Sequence, residues 1–170
     1  GMATRPAIQV PEPLQRRARR LAEAACVSPE ALAAIGPEFQ IAALTALAGQ
    51  REGLEAAFGI DTFLSSWGSG QNKVVVSLET PELQLKALQW RSAAETIEFM
   101  TSALDDLESG QAGPIARRIG QVWADGDLDM LTRYESWCDC LKTAADRSAM
   151  ARLLDDRNPA MADGIAAMHT

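Results

Sequence analysis

The sequence has few of the residues on which common enzyme sites depend. Among 170 residues there is one histidine, His169, and three cysteines, while aromatic residues make up 5% of the chain. Because His169 lies at the end of the sequence, where chains fray, no Ser-His-Asp or Cys-His arrangement is credible. A zinc site at the cysteines would need further Cys or His ligands, and the one histidine, His169, lies near the end of the sequence.

The three cysteines are too few for a disulfide framework, since an odd number leaves at least one thiol unpaired. Cys138 and Cys140 form a C-x-C pattern in a stretch that reads as a helix. Residues two apart on a helix point to different sides, so we expect these side chains to be free thiols that are buried or half-buried.

Long hydrophobic runs and an excess of positive charge are also lacking. No apolar run approaches the roughly 18 residues of a membrane span, so none is expected, and residues 1–13 have no apolar signal-peptide region. These observations leave the compartment unknown. The formal net charge of −7 argues against non-specific binding to nucleic acid, which requires a basic surface.

The residues that are present favour helices. Apolar residues make up 47% of the chain, and apolar side chains recur at helical spacing through most of it. We expect a proline-rich extended arm at 1–12 and a single helical domain at 13–170. Two Ser/Thr-Pro-Glu patterns, beginning at Ser28 and Thr80, predict helix starts. The second is predicted to open one long helix that continues to Ser109.

A single β-strand is predicted at about 73–78, where three consecutive valines suit a strand that is covered on both faces. The strand is followed directly by Glu79. Ligands gather at the carboxyl ends of strands in sheets flanked by helices, and a carboxylate there can bind a metal, act as a base or pair with an arginine. Arg157 is the candidate arginine. Alternatively, Glu79 only favours the positive N-terminus of the next helix.

The segment Asp125-Gly126-Asp127-Leu128-Asp129 invites comparison with a calcium loop. An EF-hand loop needs glycine at its sixth position and glutamate at its twelfth, where this chain has Met130 and Trp137. A helix end followed by a new helix cap explains the composition of the segment better.

Four segments, taken together and in order, resemble the TraB/GumN family. They are GIDTFL at 59–64, KVVVSLETPELQLKAL at 73–88, VWADGDLDML at 122–131 and LLDDRNPAMADGI at 153–165. Each motif is weak by itself, but the resemblance spans roughly residues 14–168. Carried over by motif, it implies that Glu79 matches the glutamate of the family's Leu-Glu-Thr segment, and that Arg157 and Asn158 match its Arg-Asn pair.

Members of that family are thought to be metal-dependent hydrolases, some of them proteases, with chemistry assigned to two Gly-x-x-His motifs. This sequence contains no Gly-x-x-His. The resemblance therefore implies a mainly α-helical middle portion of a larger α/β or α+β protein, with one short strand and no activity by itself. No cofactor is expected in this chain. A divalent metal and a peptide or protein substrate are expected for the parent.

Two classes of partner follow. An apolar strand without neighbours exposes unpaired backbone groups, so we expect self-association through residues 74–78. The alternative is a non-catalytic helical module that binds another protein. Its contact surface would be the basic segment 16–20 or the methionine-containing C-terminal helix.

Overall fold

The computed structural model describes residues 8–168, and α-helices make up most of this part of the chain. The helices are α1 (Glu12–Ala24), α2 (Pro29–Ala33), α3 (Pro37–Arg51), α4 (Ile60–Gly70), α5 (Pro81–Leu88), α6 (Ala93–Glu108), α7 (Ala112–Ala124), α8 (Leu128–Thr132), α9 (Ala144–Leu153) and α10 (Asn158–Ala167), with 3-10 helices at Ala56–Phe58 and Tyr134–Ser136. The mainly helical fold class is thus confirmed. None of these helices combines the length and apolar character needed to cross a membrane.

Several helices begin at side-chain caps that the sequence predicts. The Ser28 hydroxyl accepts a hydrogen bond from the Ala31 N–H at 3.2 Å, and the Thr80 hydroxyl accepts one from the Leu83 N–H at 3.3 Å. Each cap satisfies one of the backbone N–H groups that a helix leaves unpaired in its first turn. The predicted helix starts at these two positions are confirmed.

The hydrophobic core lies among α1, α2, α3 and α6. Its buried residues are Leu14, Ala18, Ala22, Leu32, Ile41, Leu44, Met100 and Leu104. Small alanines on α1 let it approach α6 closely, while Met100 and Leu104 of α6 are fully buried. The core therefore fixes α6 in the middle of the molecule, with α7 and α9 packed beside it.

Residues 73–78 do not form the predicted β-strand. The segment has no regular secondary structure, and no β-strand is present elsewhere between residues 8 and 168. Val74 is 89% exposed, and Val75 and Val76 are both more than half exposed. Because a strand is stabilised by hydrogen bonds to a neighbour, and no neighbouring strand exists in the described chain, β-propensity alone did not produce one.

The single long helix predicted from Pro81 to Ser109 is also wrong, because the chain breaks between α5 and α6. Ser92 caps the new helix, its hydroxyl accepting from the Glu95 N–H at 3.1 Å, and the Glu95 carboxylate accepts from the Arg91 N–H at 2.7 Å. The pattern is close to a capping box, except that the Glu95 carboxylate accepts from the residue before the cap and not from Ser92 itself. The break brings Trp90 into a buried position, where only 5% of the residue is exposed.

The prediction that Cys138 and Cys140 are free thiols on a helix is also wrong. Cys138 and Cys140 form a disulfide with each other, whereas Cys26 is a free, exposed thiol. The predicted helix through Cys138 ends early: after α8 and the second 3-10 helix the chain is irregular, and Asp139 takes a positive φ of 53°. This turn brings the two sulfur atoms to the same side, which a helix could not do.

Two further predictions fall partly or wholly outside the described residues. Of the predicted extended arm at 1–12, residues 8–11 have no regular structure and Glu12 begins α1, while residues 1–7 lie outside the described part. His169 also lies outside it.

Candidate functional site

Glu79 is held between α5 and α10 by its neighbours in sequence. Leu78 packs close to Gly164 of α10, where an added Cβ would come within 3.2 Å of the leucine side chain. The Ser77 hydroxyl donates to the Glu79 carbonyl at 2.6 Å, and Thr80 caps α5. The backbone on both sides of Glu79 is therefore anchored, although the valines before it are exposed.

The Glu79 carboxylate forms a two-point ion pair with Arg157, at the start of α10. Arg157 Nε donates to Glu79 Oε1 at 2.8 Å, and Arg157 Nη2 donates to Oε2. Arg157 Nη1 donates to the Leu153 carbonyl at 2.8 Å, which ties the guanidinium to the end of α9. Bidentate pairs of this kind fix orientation as well as charge. The arginine suggested by the sequence as the partner of Glu79 is thus in contact with it.

The pair is partly shielded from solvent, with the Glu79 side chain 11% and the Arg157 side chain 28% exposed. Hydrogen bonding from Arg157 lowers the pKa of the Glu79 carboxyl below its ordinary value, against an opposing effect of desolvation. The same contact raises the pKa of Arg157. Glu79 is therefore firmly ionised near neutral pH and acts as a hydrogen-bond acceptor only.

Asn158, the third residue implied by the resemblance, is placed differently. It is the first residue of α10 and is exposed. No hydrogen bond joins its side chain to Glu79 or Arg157 in the described structure. The fold therefore brings together the acid and the guanidinium of the predicted site but does not add the amide to them.

An open groove of about 500 Å³ lies beside Arg157, between α5 and the end of α9. Its lining residues are Leu83, Lys86, Ala87, Gln89, Trp90, Arg91, Arg152, Asp156 and Arg157. Trp90 and Arg152 were not singled out from the sequence. The Ser92-x-x-Glu95 capping pattern could have signalled the chain break that buries Trp90.

Arg152 is held at the groove by a second buried ion pair. Its Nη1 donates to Glu95 Oε1 at 3.2 Å and to the Ser148 hydroxyl at 2.7 Å, and its guanidinium carbon lies 4.8 Å from the centre of the Trp90 ring. Trp90 in turn stacks on Phe99, with ring centres 4.1 Å apart. Two glutamate–arginine pairs thus flank one groove.

The residues near Glu79 do not by themselves fit a metal centre. Both carboxylate oxygens of Glu79 are engaged by Arg157. Between residues 8 and 168 no group of three or more His, Cys, Asp or Glu side chains is arranged to hold a metal ion. A hydrolytic metal site needs about three protein ligands and an open position, so the described residues cannot supply one.

The basic segment 16–20, which the interaction-module alternative uses, is largely paired within the chain. Arg17 donates to Glu108 at 3.0 Å and also binds Asp105, while Arg20 reaches Glu108 at 3.4 Å. Much of this positive charge is therefore already balanced, which weakens its case as the contact for an acidic partner.

Comparison with known proteins decides the family. The TraB/PrgY/gumN family matches residues 7–170, which is nearly the whole sequence. The chain belongs to the TraB/PrgY/gumN family. No curated protein and no solved structure matches it. The resemblance drawn from four short segments is confirmed at the level of the family, and Glu79 and Arg157 are paired within a member of it.

Proposed function

We propose that this chain contributes an acid–guanidinium pair, Glu79 with Arg157, to the site of a metal-dependent peptide hydrolase. The observation that carries the proposal is the bidentate, shielded contact between two residues that are 78 positions apart in sequence. Because the pair borders an open groove, a substrate could reach it without unfolding the helices.

Each member of the pair has a chemical role in this proposal. Glu79, held ionised by Arg157, can accept a hydrogen bond from an attacking water and orient it, because each carboxylate oxygen keeps a second lone pair; its lowered pKa suits this role better than proton abstraction. Arg157 orients the carboxylate and can stabilise negative charge that develops on a scissile carbonyl oxygen. Asn158, which follows Arg157 in sequence and is exposed, would contact substrate.

In this proposal the 170 residues are not active alone. The sequence has no Gly-x-x-His, and the described residues supply no metal cluster. We infer that the imidazole ligands come from outside these residues, in a larger protein of which this chain is the helical middle portion. Peptides or proteins are the proposed substrates of that protein.

Substitutions at the pair test this role in any form of the protein that hydrolyses peptides. Glu79→Gln keeps the shape but removes the charge that orients the attacking water and holds Arg157, so kcat should fall by about 100-fold or more. Glu82→Gln is the matched control, because it makes the same charge change on the first turn of α5, at an exposed position. Equal activity of the Glu79→Gln and Glu82→Gln variants would remove Glu79 from the chemistry.

We further propose that the chain associates with a second copy through residues 74–78. Apart from the Ser77 side chain, no hydrogen bond to this segment is seen in the described structure, so its backbone groups from Val74 to Leu78 are available. Its exposed valines would be covered by pairing. The segment would become ordered as a strand on association and not before it.

The alternative, a helical module that binds another protein, is favoured by the outer face of α4. Phe63, Leu64 and Trp67 are each more than half exposed there. Apolar patches of this kind mark interaction sites. If this alternative is right, Trp67→Glu would remove a partner protein that co-purifies with the chain, while Glu79→Gln would leave it bound. A partner that stays bound to the Trp67→Glu variant would contradict this alternative.

A further inference from the structure

The groove between α5 and α9 has buried hydrogen-bond donors that no acceptor satisfies. Three nitrogen atoms, Trp90 Nε1 and Arg152 Nε and Nη2, are each buried and have no hydrogen-bond partner in the described structure. Both side chains line the groove, and the two residues are 5% and 8% exposed. A buried donor without an acceptor destabilises the fold, so these atoms favour any ligand that brings an acceptor.

The charge around the groove favours a ligand that is negatively charged. Its lining contains four cations, Lys86, Arg91, Arg152 and Arg157, against one acid, Asp156. Glu79 and Glu95 neutralise Arg157 and Arg152, but no ion pair joins Lys86 or Arg91 to an acid within residues 8–168. The groove therefore has two exposed cations without an acidic partner in the described chain, together with unsatisfied donors. This local positive charge differs from the protein as a whole, whose net charge is −7.

The apolar part of the lining indicates what carries the negative charge. Leu83, Ala87 and the Trp90 ring share the groove with the cations, and about 500 Å³ is far more space than a small inorganic ion fills. A carboxylate attached to an apolar body meets both parts of the surface.

We propose that this groove binds the carboxylate end of a peptide, with its terminal apolar side chain against Leu83, Ala87 and Trp90. The carboxylate lies between Lys86 and Arg91 and, directly or through a bound water, accepts from the Trp90 and Arg152 donors. A peptide end bound in this groove would lie next to the Glu79–Arg157 pair. That peptide binding serves hydrolysis rests on the hydrolase proposal. Binding itself needs neither a metal nor hydrolysis.

Peptide binding can be followed through the NMR signal of the Trp90 indole N–H. The chain has four tryptophans, so its ¹H–¹⁵N spectrum has four indole signals, and loss of one in Trp90→Phe assigns Trp90. Two versions of one short peptide ending in leucine serve as probes, one with a free C-terminal carboxylate and one amidated, at constant ionic strength. We expect a saturable shift of the Trp90 signal with the free acid and none with the amide.

Two surface variants keep the test independent of folding. Lys86→Gln with Arg91→Gln removes the exposed cations of the groove and should weaken binding of the free acid about tenfold, because both cations attract the carboxylate through partly screened contacts. Arg19→Gln with Lys73→Gln makes the same charge change at exposed residues outside the groove and should leave binding unchanged.

Three results would overturn the proposal. They are equal shifts with the acid and the amide, equal weakening by the two double variants, and a response to inorganic phosphate with none to the peptide acid. The hydrolase proposal can fail while this one stands: a Trp90 shift with the free acid supports the groove even if Glu79→Gln leaves hydrolysis unchanged.

Discussion

At the scale of single residues, the Glu79–Arg157 contact has a consequence for pH dependence. The pKa of Glu79 is lower in the folded chain than its ordinary value near 4.5, so the folded state binds this proton more weakly than the unfolded state does. The pair therefore stabilises the fold above about pH 4.5. That stabilisation disappears as the pH falls through the lowered pKa.

We predict that Glu79→Gln lowers the free energy of unfolding at pH 7, and that the difference from the unsubstituted chain shrinks as the pH is lowered from 5 to 3. Urea unfolding at several pH values, followed by circular dichroism, measures this difference. Glu82→Gln should show a small difference at every pH. A Glu79→Gln effect that is the same at pH 7 and pH 3 would show that the pair does not contribute through its ionised form.

Asp146 is a second residue whose substitution should clearly lower the free energy of unfolding. Its Oδ2 accepts hydrogen bonds from the Thr143 N–H at 2.8 Å, the Lys142 N–H at 3.0 Å and the Ser102 hydroxyl at 3.3 Å, and the residue is 6% exposed. We predict that Asp146→Ala lowers the free energy of unfolding by about 1–3 kcal/mol, because it leaves these donors without an acceptor. Chemical denaturation measures the loss.

Asp139→Asn is the control for Asp146. The Asp139 side chain is 80% exposed and its backbone has a positive φ, which asparagine tolerates. If Asp139→Asn lowered the free energy of unfolding as much as Asp146→Ala, the hydrogen bonds accepted by Asp146 would not be the cause of its effect.

The sequence allowed one contact of the candidate site to be predicted but not the rest. Glu79 and Arg157 could be suggested as partners because each lies in a recognisable segment of the sequence. Trp90 and Arg152 could not, since the Ser92-x-x-Glu95 pattern indicates only the chain break, whereas the burial of these side chains depends on how α9 packs against α5. Such tertiary contacts leave no local pattern of residues.

At the scale of elements, α3 and α7 approach each other closely at Gly113. A Cβ added to Gly113 would lie 3.3 Å from the Ala48 carbonyl oxygen and 3.1 Å from Glu52 Cγ. We predict that Gly113→Leu lowers the free energy of unfolding by about 1–3 kcal/mol, because a large side chain forces the two helices apart. Thermal and urea unfolding measure the change.

Gly70→Ala provides the comparison for that variant. Gly70 is the last residue of α4, and an added Cβ meets nothing within 4 Å. The substitution should be neutral or slightly stabilising, because alanine loses less backbone freedom on folding than glycine. If Gly70→Ala were as harmful as Gly113→Leu, helix contact would not be the cause.

Helix starts could be predicted from the sequence, whereas other boundaries could not. Capping by Ser28 and Thr80 is a local interaction that a few residues determine. The prediction of a strand at 73–78 was wrong because three valines give only a β-propensity, and a strand also needs a neighbouring strand to pair with. The break near Trp90 was missed because the apolar spacing continues across it.

At the scale of the whole molecule, the exposed valines lead to a prediction about assembly. If residues 74–78 pair between copies, the chain sediments as a dimer at micromolar concentration, and Val74→Lys with Val76→Lys shifts it toward the monomer. Sedimentation velocity over a range of concentrations measures this. Leu128→Lys is the control, since Leu128 is 73% exposed but lies on α8. A monomer at all concentrations would contradict self-association.

The central claim is that these 170 residues supply an acid and a guanidinium to a hydrolytic site whose metal ligands lie elsewhere. Its most direct test is peptide hydrolysis with added divalent metal, measured on this chain and on the full protein that its reading frame encodes. We predict no hydrolysis by the 170-residue chain, metal-dependent hydrolysis by the full protein, and a loss of about 100-fold or more with Glu79→Gln in the latter. Metal-dependent hydrolysis by the 170 residues alone, or full activity of the Glu79→Gln protein, would contradict the claim.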